Sequence, residues 1–167
     1  NKTTYTMETT TFSLYQPTKT GYTFAGWTGS NGSTKQTSVS ISKGSTGNKS
    51  FTANWTAINY SIKYNLNGGI NNSSNPSSYT IESGNIILQE PTRNGYTFTG
   101  WTGSNGTTPQ KNITISKGSC SNMSFTANWT LVDYTISYDL NGGKLNGTNR
   151  NKYTVEDSSF TLIEPTK

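Results

Sequence analysis

Three residue types with chemical potential recur at one fixed interval. Glu8, Glu82 and Glu156 each close a Tyr-Thr-x-Glu string, while Lys43 and Asn54 return as Lys117 and Asn128, seventy-four positions later. A lysine amine beside an asparagine side chain, with a carboxylic acid assisting, can displace ammonia and leave an amide cross-link. That reaction needs a desolvated, uncharged lysine. Lys43 lies in a Lys-Gly-Ser loop and Asn54 on the polar face of a strand. The sets Glu8/Lys43/Asn54 and Glu82/Lys117/Asn128 are therefore expected to stay uncoupled. A second chemistry is sugar stacking on Tyr22 and Trp27, and on their counterparts Tyr96 and Trp101. In a chain this short of aliphatic residues, such rings are expected to fill the core instead.

Other catalytic schemes lack their parts. Paired-carboxylate hydrolysis needs two fixed acids across a cleft; beyond Glu8, Glu82 and Glu156 no acid persists, since Glu90 and Glu164 correspond to Gln16. The chain has no histidine, which removes the commonest general base and the commonest metal ligand. Its one cysteine, Cys120, excludes an intrachain disulfide and stands where the preceding copy has Thr46. No enzyme activity, catalytic residue, cofactor or metal site is expected.

Composition points to a folded, polar, strand-rich chain. Ser, Thr and Asn supply 72 of 167 residues and only 29% are hydrophobic, yet there are 4 Trp, 10 Tyr and 6 Phe. Disordered chains are poor in aromatics, and each buried aromatic removes about 150–250 Å² from water, so small aromatic cores are expected. Four Ala and seven Leu leave few helix formers, while Thr, Tyr, Val, Ile, Phe and Trp favour strands. The net charge of +5 comes from 13 scattered basic residues, the nearest to a cluster being Lys144, Arg150 and Lys152. That is a solvated surface, not a nucleic-acid face. No apolar run approaches the ~18 residues of a membrane span, so no membrane insertion is expected in this segment; the first residues do not read as a signal peptide.

The interval of seventy-four runs through the whole chain. "GYTFAGWTGSNG" from Gly21 returns as "GYTFTGWTGSNG" from Gly95, and "YNLNGG" from Tyr64 as "YDLNGG" from Tyr138. The string from Tyr5 returns at Tyr79 and Tyr153, and 26 of 38 positions match between 19–56 and 93–130. Each copy thus reads as one folding unit. With the copy set at 60–133, residues 1–59 form a partial copy without its opening strands, and 134–167 the first part of a further one.

Within a copy, apolar residues alternate with polar ones, the mark of half-buried strands. Phe51, Ala53 and Trp55 share one face; so do Tyr60, Ile62, Tyr64 and Leu66; Tyr22 and Phe24, Val39 and Ile41, and Phe12 and Leu14 make three more strands. Asn67-Gly68-Gly69, Ser30-Asn31-Gly32 and Lys43-Gly44-Ser45 punctuate them as turns. Asn75-Pro76 is expected to cap one short helical turn. The prediction is an all-β or β-rich series of small sheet domains, about five strands each, with little helix.

The order "YxIxYxLNGG…NPxxYTxE…PTRxGYTFxGWTGSNG…FTANWT" resembles the Listeria–Bacteroides repeat family, related to the internalin B-repeat. The resemblance implies compact β-grasp-like units in tandem arrays, displayed on bacterial cell surfaces as stalks or adhesin segments. The expected function is therefore a structural stalk, spacer or fibre segment of a secreted bacterial surface protein, with neighbouring repeats of the same chain as its partners. Two alternatives remain open. The repeats could bind a host surface protein or glycan weakly and multivalently, or chains could add strands to one another as a homopolymeric filament.

Overall fold

The structure, a computed structural model, describes residues 1–167. No residue is helical and 41% lie in strands, so the fold is all-β. The first stretch forms β1 (Phe12–Ser13), β2 (Tyr22–Gly29), β3 (Gly32–Gln36), β4 (Ser40–Ile41) and β5 (Phe51–Ala57). The second forms β6 (Tyr60–Asn65), β7 (Ser78–Tyr79), β8 (Ile86–Ile87), β9 (Tyr96–Gly103), β10 (Gly106–Gln110), β11 (Thr114–Ile115) and β12 (Met123–Leu131). The third contributes β13 (Tyr134–Thr135), β14 (Lys144–Leu145), β15 (Lys152–Tyr153) and β16 (Pro165–Thr166).

The chain divides into two compact units. The first holds Asn1–Ser61 with Ser78–Ile86 and Ile115–Asn122; the second holds Ile62–Ser77, Ile87–Thr114 and Met123–Lys167. In the first unit β2 lies between antiparallel partners β3 and β5, and β1 pairs with β4. In the second unit β9 lies between β10 and β12, and β12 also pairs in parallel with β6, matching Met123 to Ile62 and Phe125 to Tyr64.

All five strands expected from alternation form, and the second copy carries two more, β7 and β10. The latter reads Gly-Thr-Thr-Pro-Gln and is exposed at every residue, so no apolar face announces it. It is the outer strand of its sheet, where Pro109 can sit without breaking an interior ladder. Nor does the expected helical turn at Asn75-Pro76 form. Asn75 is buried, and its amide group bonds both the N–H and the C=O of Gln89, at 2.7 and 2.9 Å. A side chain engaged with a distant segment cannot also cap local amides.

One irregularity makes the core. Strict alternation would put Phe98 and Trp101, three residues apart, on opposite faces of β9. The ladder with β12 pairs Phe98 with Trp129 but Gly100 with the adjacent Asn128, leaving Thr99 as an extra residue, a β-bulge. The bulge returns Trp101 to the face of Phe98, and their rings meet edge-on at 5.3 Å. β2 repeats the device: Phe24 opposes Trp55, Gly26 opposes Asn54, and Phe24 meets Trp27 at 5.4 Å. Gly100 adopts φ +141°, and a Cβ there would fall 2.5 Å from the backbone nitrogen of Gln110. Only glycine fits, for conformation and for space.

The bulge glycine can be tested against a turn glycine in the same strand pair. Gly106 has φ +110° with nothing near its Cβ position, so Gly106→Ala should cost about 1–2 kcal/mol from conformation alone. Gly100→Ala adds the clash and should cost about 3–4 kcal/mol. Urea denaturation of the two variants measures both.

Candidate functional site

The candidate aromatic pairs do not form platforms. Trp101 is 0% exposed and Trp27 8%, so neither indole presents a face to a sugar. In the second unit Trp101 is enclosed by Phe98, Tyr64 and Phe125, with ring centroids 5.3, 5.7 and 6.4 Å away. Trp129 meets Phe98 at 5.4 Å, and its Nε1–H donates to the Leu66 carbonyl at 3.0 Å. In the first unit Trp27 packs on Phe24 and Phe51. Such edge-on pairs add about 0.5–1.5 kcal/mol each beyond area burial.

Tyr22 and Tyr96 are half-buried at the start of their strands. The Lys19 ammonium lies 3.9 Å from the Tyr22 ring centre, and the Arg93 guanidinium 3.5 Å from that of Tyr96. The Tyr22 hydroxyl donates to Glu82 Oε1 at 2.9 Å, and the Tyr96 hydroxyl donates to Glu156. Those carboxylate bonds, helped by desolvation, raise both phenol pKa values.

The cross-linking triads take other partners. Lys43 Nζ lies 3.4 Å from Glu8 Oε2, and both side chains are largely exposed. An amine this open to water, and facing a carboxylate, lacks the desolvation that attack on an amide requires. Asn54 instead braces the bulge, its Nδ2–H donating to the Gly26 carbonyl and to Thr28 Oγ1, each at 3.0 Å. Asn128 repeats both contacts on Gly100 and Thr102. Glu82 is engaged with Tyr22, and Lys117 is held by its backbone N–H on Asn85 Oδ1. Cys120 is an exposed free thiol.

A further repeat-wide device escaped the sequence reading. The side-chain amides of Asn1, Asn75 and Asn149 each bond both backbone groups of the residue fourteen positions on: Tyr15, Gln89 and Ile163. Recurrence of Asn at every copy was the available signal, diluted by twenty asparagines. Tyr64 makes a comparable tie, donating its hydroxyl to the Pro76 carbonyl at 2.9 Å, and Tyr138 does so to Arg150. Burial pushes the Tyr64 phenol up to about 12.

One open cleft, of about 410 Å³, has Asp139 and Glu164 among its lining residues, with Tyr138 and Leu162. Another of about 600 Å³ in the first unit is lined by Lys2–Met7, Phe12, Leu14, Ile41 and Phe51, without a carboxylate. No cluster of three potential metal ligands occurs in the chain.

Fold and site together define an all-β tandem repeat whose distinctive residues are spent on its own cores and ties. The chain belongs to the Listeria-Bacteroides repeat domain family, whose model matches residues 1–54 and 60–128. The family is associated with bacterial surface proteins and is typically non-catalytic. A Gly-rich membrane protein, so named, from Evansella cellulosilytica is 32% identical over 130 residues, covering 75% of this chain and 14% of that protein. The chain thus spans about a seventh of its relative's length. No solved structure matches it. No helix is long and apolar enough to cross a membrane.

Tyr64 yields a pH prediction. Below pH 10 folded and unfolded chains both keep its proton; between 10 and about 12 the unfolded chain releases it and the folded one does not. Stability should therefore fall as pH rises through that window. Tyr64→Phe, lacking this titration, should show a shallower decline in denaturation midpoint from pH 9 to 12.

Proposed function

We propose that the chain is a structural segment of a secreted bacterial surface protein, in which tandem copies act in series as a stalk or spacer. One observation carries this reading: the same bulged aromatic core is built in successive copies, with both bulge tryptophans turned inward. Groups that would serve a ligand are already engaged. Trp27 and Trp101 fill cores, Asn54 and Asn128 brace bulges, and Glu82 and Glu156 hold tyrosines. A repeated core built the same way in each copy suits a segment whose product is length, because copies can be added in series with contacts only to their neighbours. The surface association of the family and the membrane-protein name of the relative support an envelope setting.

The test is to add or delete one 74-residue copy in the parent protein and measure the reach of its tip by atomic force microscopy on cells. Tip height should change in proportion to copy number. In parallel, the 167-residue chain should show no saturable binding on a panel of host and envelope glycans. Saturable binding that Tyr22→Ala and Tyr96→Ala abolish would replace the stalk by a multivalent glycan binder.

A further inference from the structure

Gly21 has φ +76°, and a Cβ there would lie 2.5 Å from Ile81 Cδ1 and 2.9 Å from Ile81 Cβ. Gly95 has the same φ, and its Cβ would lie 2.2 Å from Val155 Cγ1. In both places the apolar side chain of one copy occupies the space above the glycine of the copy before it. The next residues on each side are joined as well, Tyr22 to Glu82 and Tyr96 to Glu156. Both contacts span sixty positions and occur twice, in chemically equivalent form. We propose that Gly-Tyr at the start of the long strand, and the apolar residue plus glutamate of the following Tyr-Thr-x-Glu turn, form a lock between consecutive copies.

Each half of the lock is held ready by its own copy. The turn closes on itself: Thr80 N–H donates to Ser83 Oγ, Ser83 N–H to the Thr80 carbonyl, and Glu82 N–H to Thr80 Oγ1. Thr154 and Asp157 close the third copy's turn in the same way, and Thr6 and Thr9 the first's. Gly21 is held through its carbonyl, which accepts from the N–H of Ile58, and Gly95 likewise from Val132, both at 2.9 Å. Ile58 and Asn59 are the whole connection between β5 and β6, so the lock sits beside a two-residue joint.

The first copy's turn shows the same residues in another setting. Met7 holds the position of Ile81 and is 57% exposed, while Glu8 pairs with Lys43 of its own copy. Val155 keeps 43% of its surface exposed, so apolar burial is partial and the Tyr–Glu bond supplies the directional part. The partner that fits this surface is thus another copy of the same repeat.

The lock deepens the stalk reading and rests on it for its purpose, but its test does not depend on it. In the 167-residue chain, Tyr22→Phe lies in the first copy and Glu82→Gln in the second. Backbone hydrogen exchange is measured for the Thr80–Ser83 turn. Tyr22→Phe should speed exchange in that turn by about fivefold, the effect of losing one partly exposed charge-assisted hydrogen bond. Exchange at Phe125 should not change. Glu82→Gln should act alike, and the double variant should match either single one, the signature of a shared interaction. Gly21→Ala should loosen the turn as well; should it unfold the first copy, the Tyr–Glu cycle still decides. Additive effects in the cycle, or a turn unmoved by Tyr22→Phe, would overturn the lock. A glycan-binding result would leave it standing.

Discussion

The β-bulge at Ala25-Gly26, repeated at Thr99-Gly100, is the constraint on which the rest of each copy depends. Side chains on a regular strand alternate, so two rings three residues apart cannot share a face. One extra residue resolves the conflict and sets Phe24 beside Trp27, and Phe98 beside Trp101. Only a glycine permits it, because the neighbouring strand's backbone lies where a Cβ would be. Asn54 and Asn128 then supply donors to the bulge glycine's carbonyl, which the disrupted ladder would otherwise leave short of partners.

From that device follows an economical core. With Ala and Leu scarce, a few rings do the work usually shared among many aliphatic residues. In the second unit Tyr64, Phe98, Trp101, Phe125 and Trp129 form one connected cluster of edge-on, tilted and stacked contacts. Asparagine side chains stand in for backbone at Gln89 and its counterparts, so the loops are tied by hydrogen bonds where apolar surface runs short. The surface left over carries Ser, Thr and single charges, with large apolar side chains such as Tyr15, Ile70 and Ile87 exposed among them.

The recurrent glutamate shows how one position serves two ends. In the first copy Glu8 sits near Lys43 as an exposed ion pair, a contact worth little in water. In the second and third copies the same residue accepts from the tyrosine of the copy before it. The residue type is constant, and its partner is decided by whichever group the fold brings within reach.

The sequence by itself determined the period, the all-β class, the faces of the unbulged strands and the turns, because alternation, Asn-Gly pairs and repeated strings are local signals. It also set apart the absence of histidine and the scatter of charge. Only the tertiary structure decided which of the repeated residues meet. Strict period-two alternation sets Phe24 and Trp27 out of step, and the bulge that realigns them is a relation between two strands that leaves only a glycine as its trace. The strand at Gly106–Gln110 carried no apolar pattern, being exposed throughout. Asn75 looked like a helix cap because local propensity is blind to a partner fourteen residues away. The pairs Gly21–Ile81 and Tyr22–Glu82 lie sixty residues apart, and no local pattern brings such positions together. Period and propensity belong to neighbours in the chain; contacts that tie one copy to the next belong to neighbours in space.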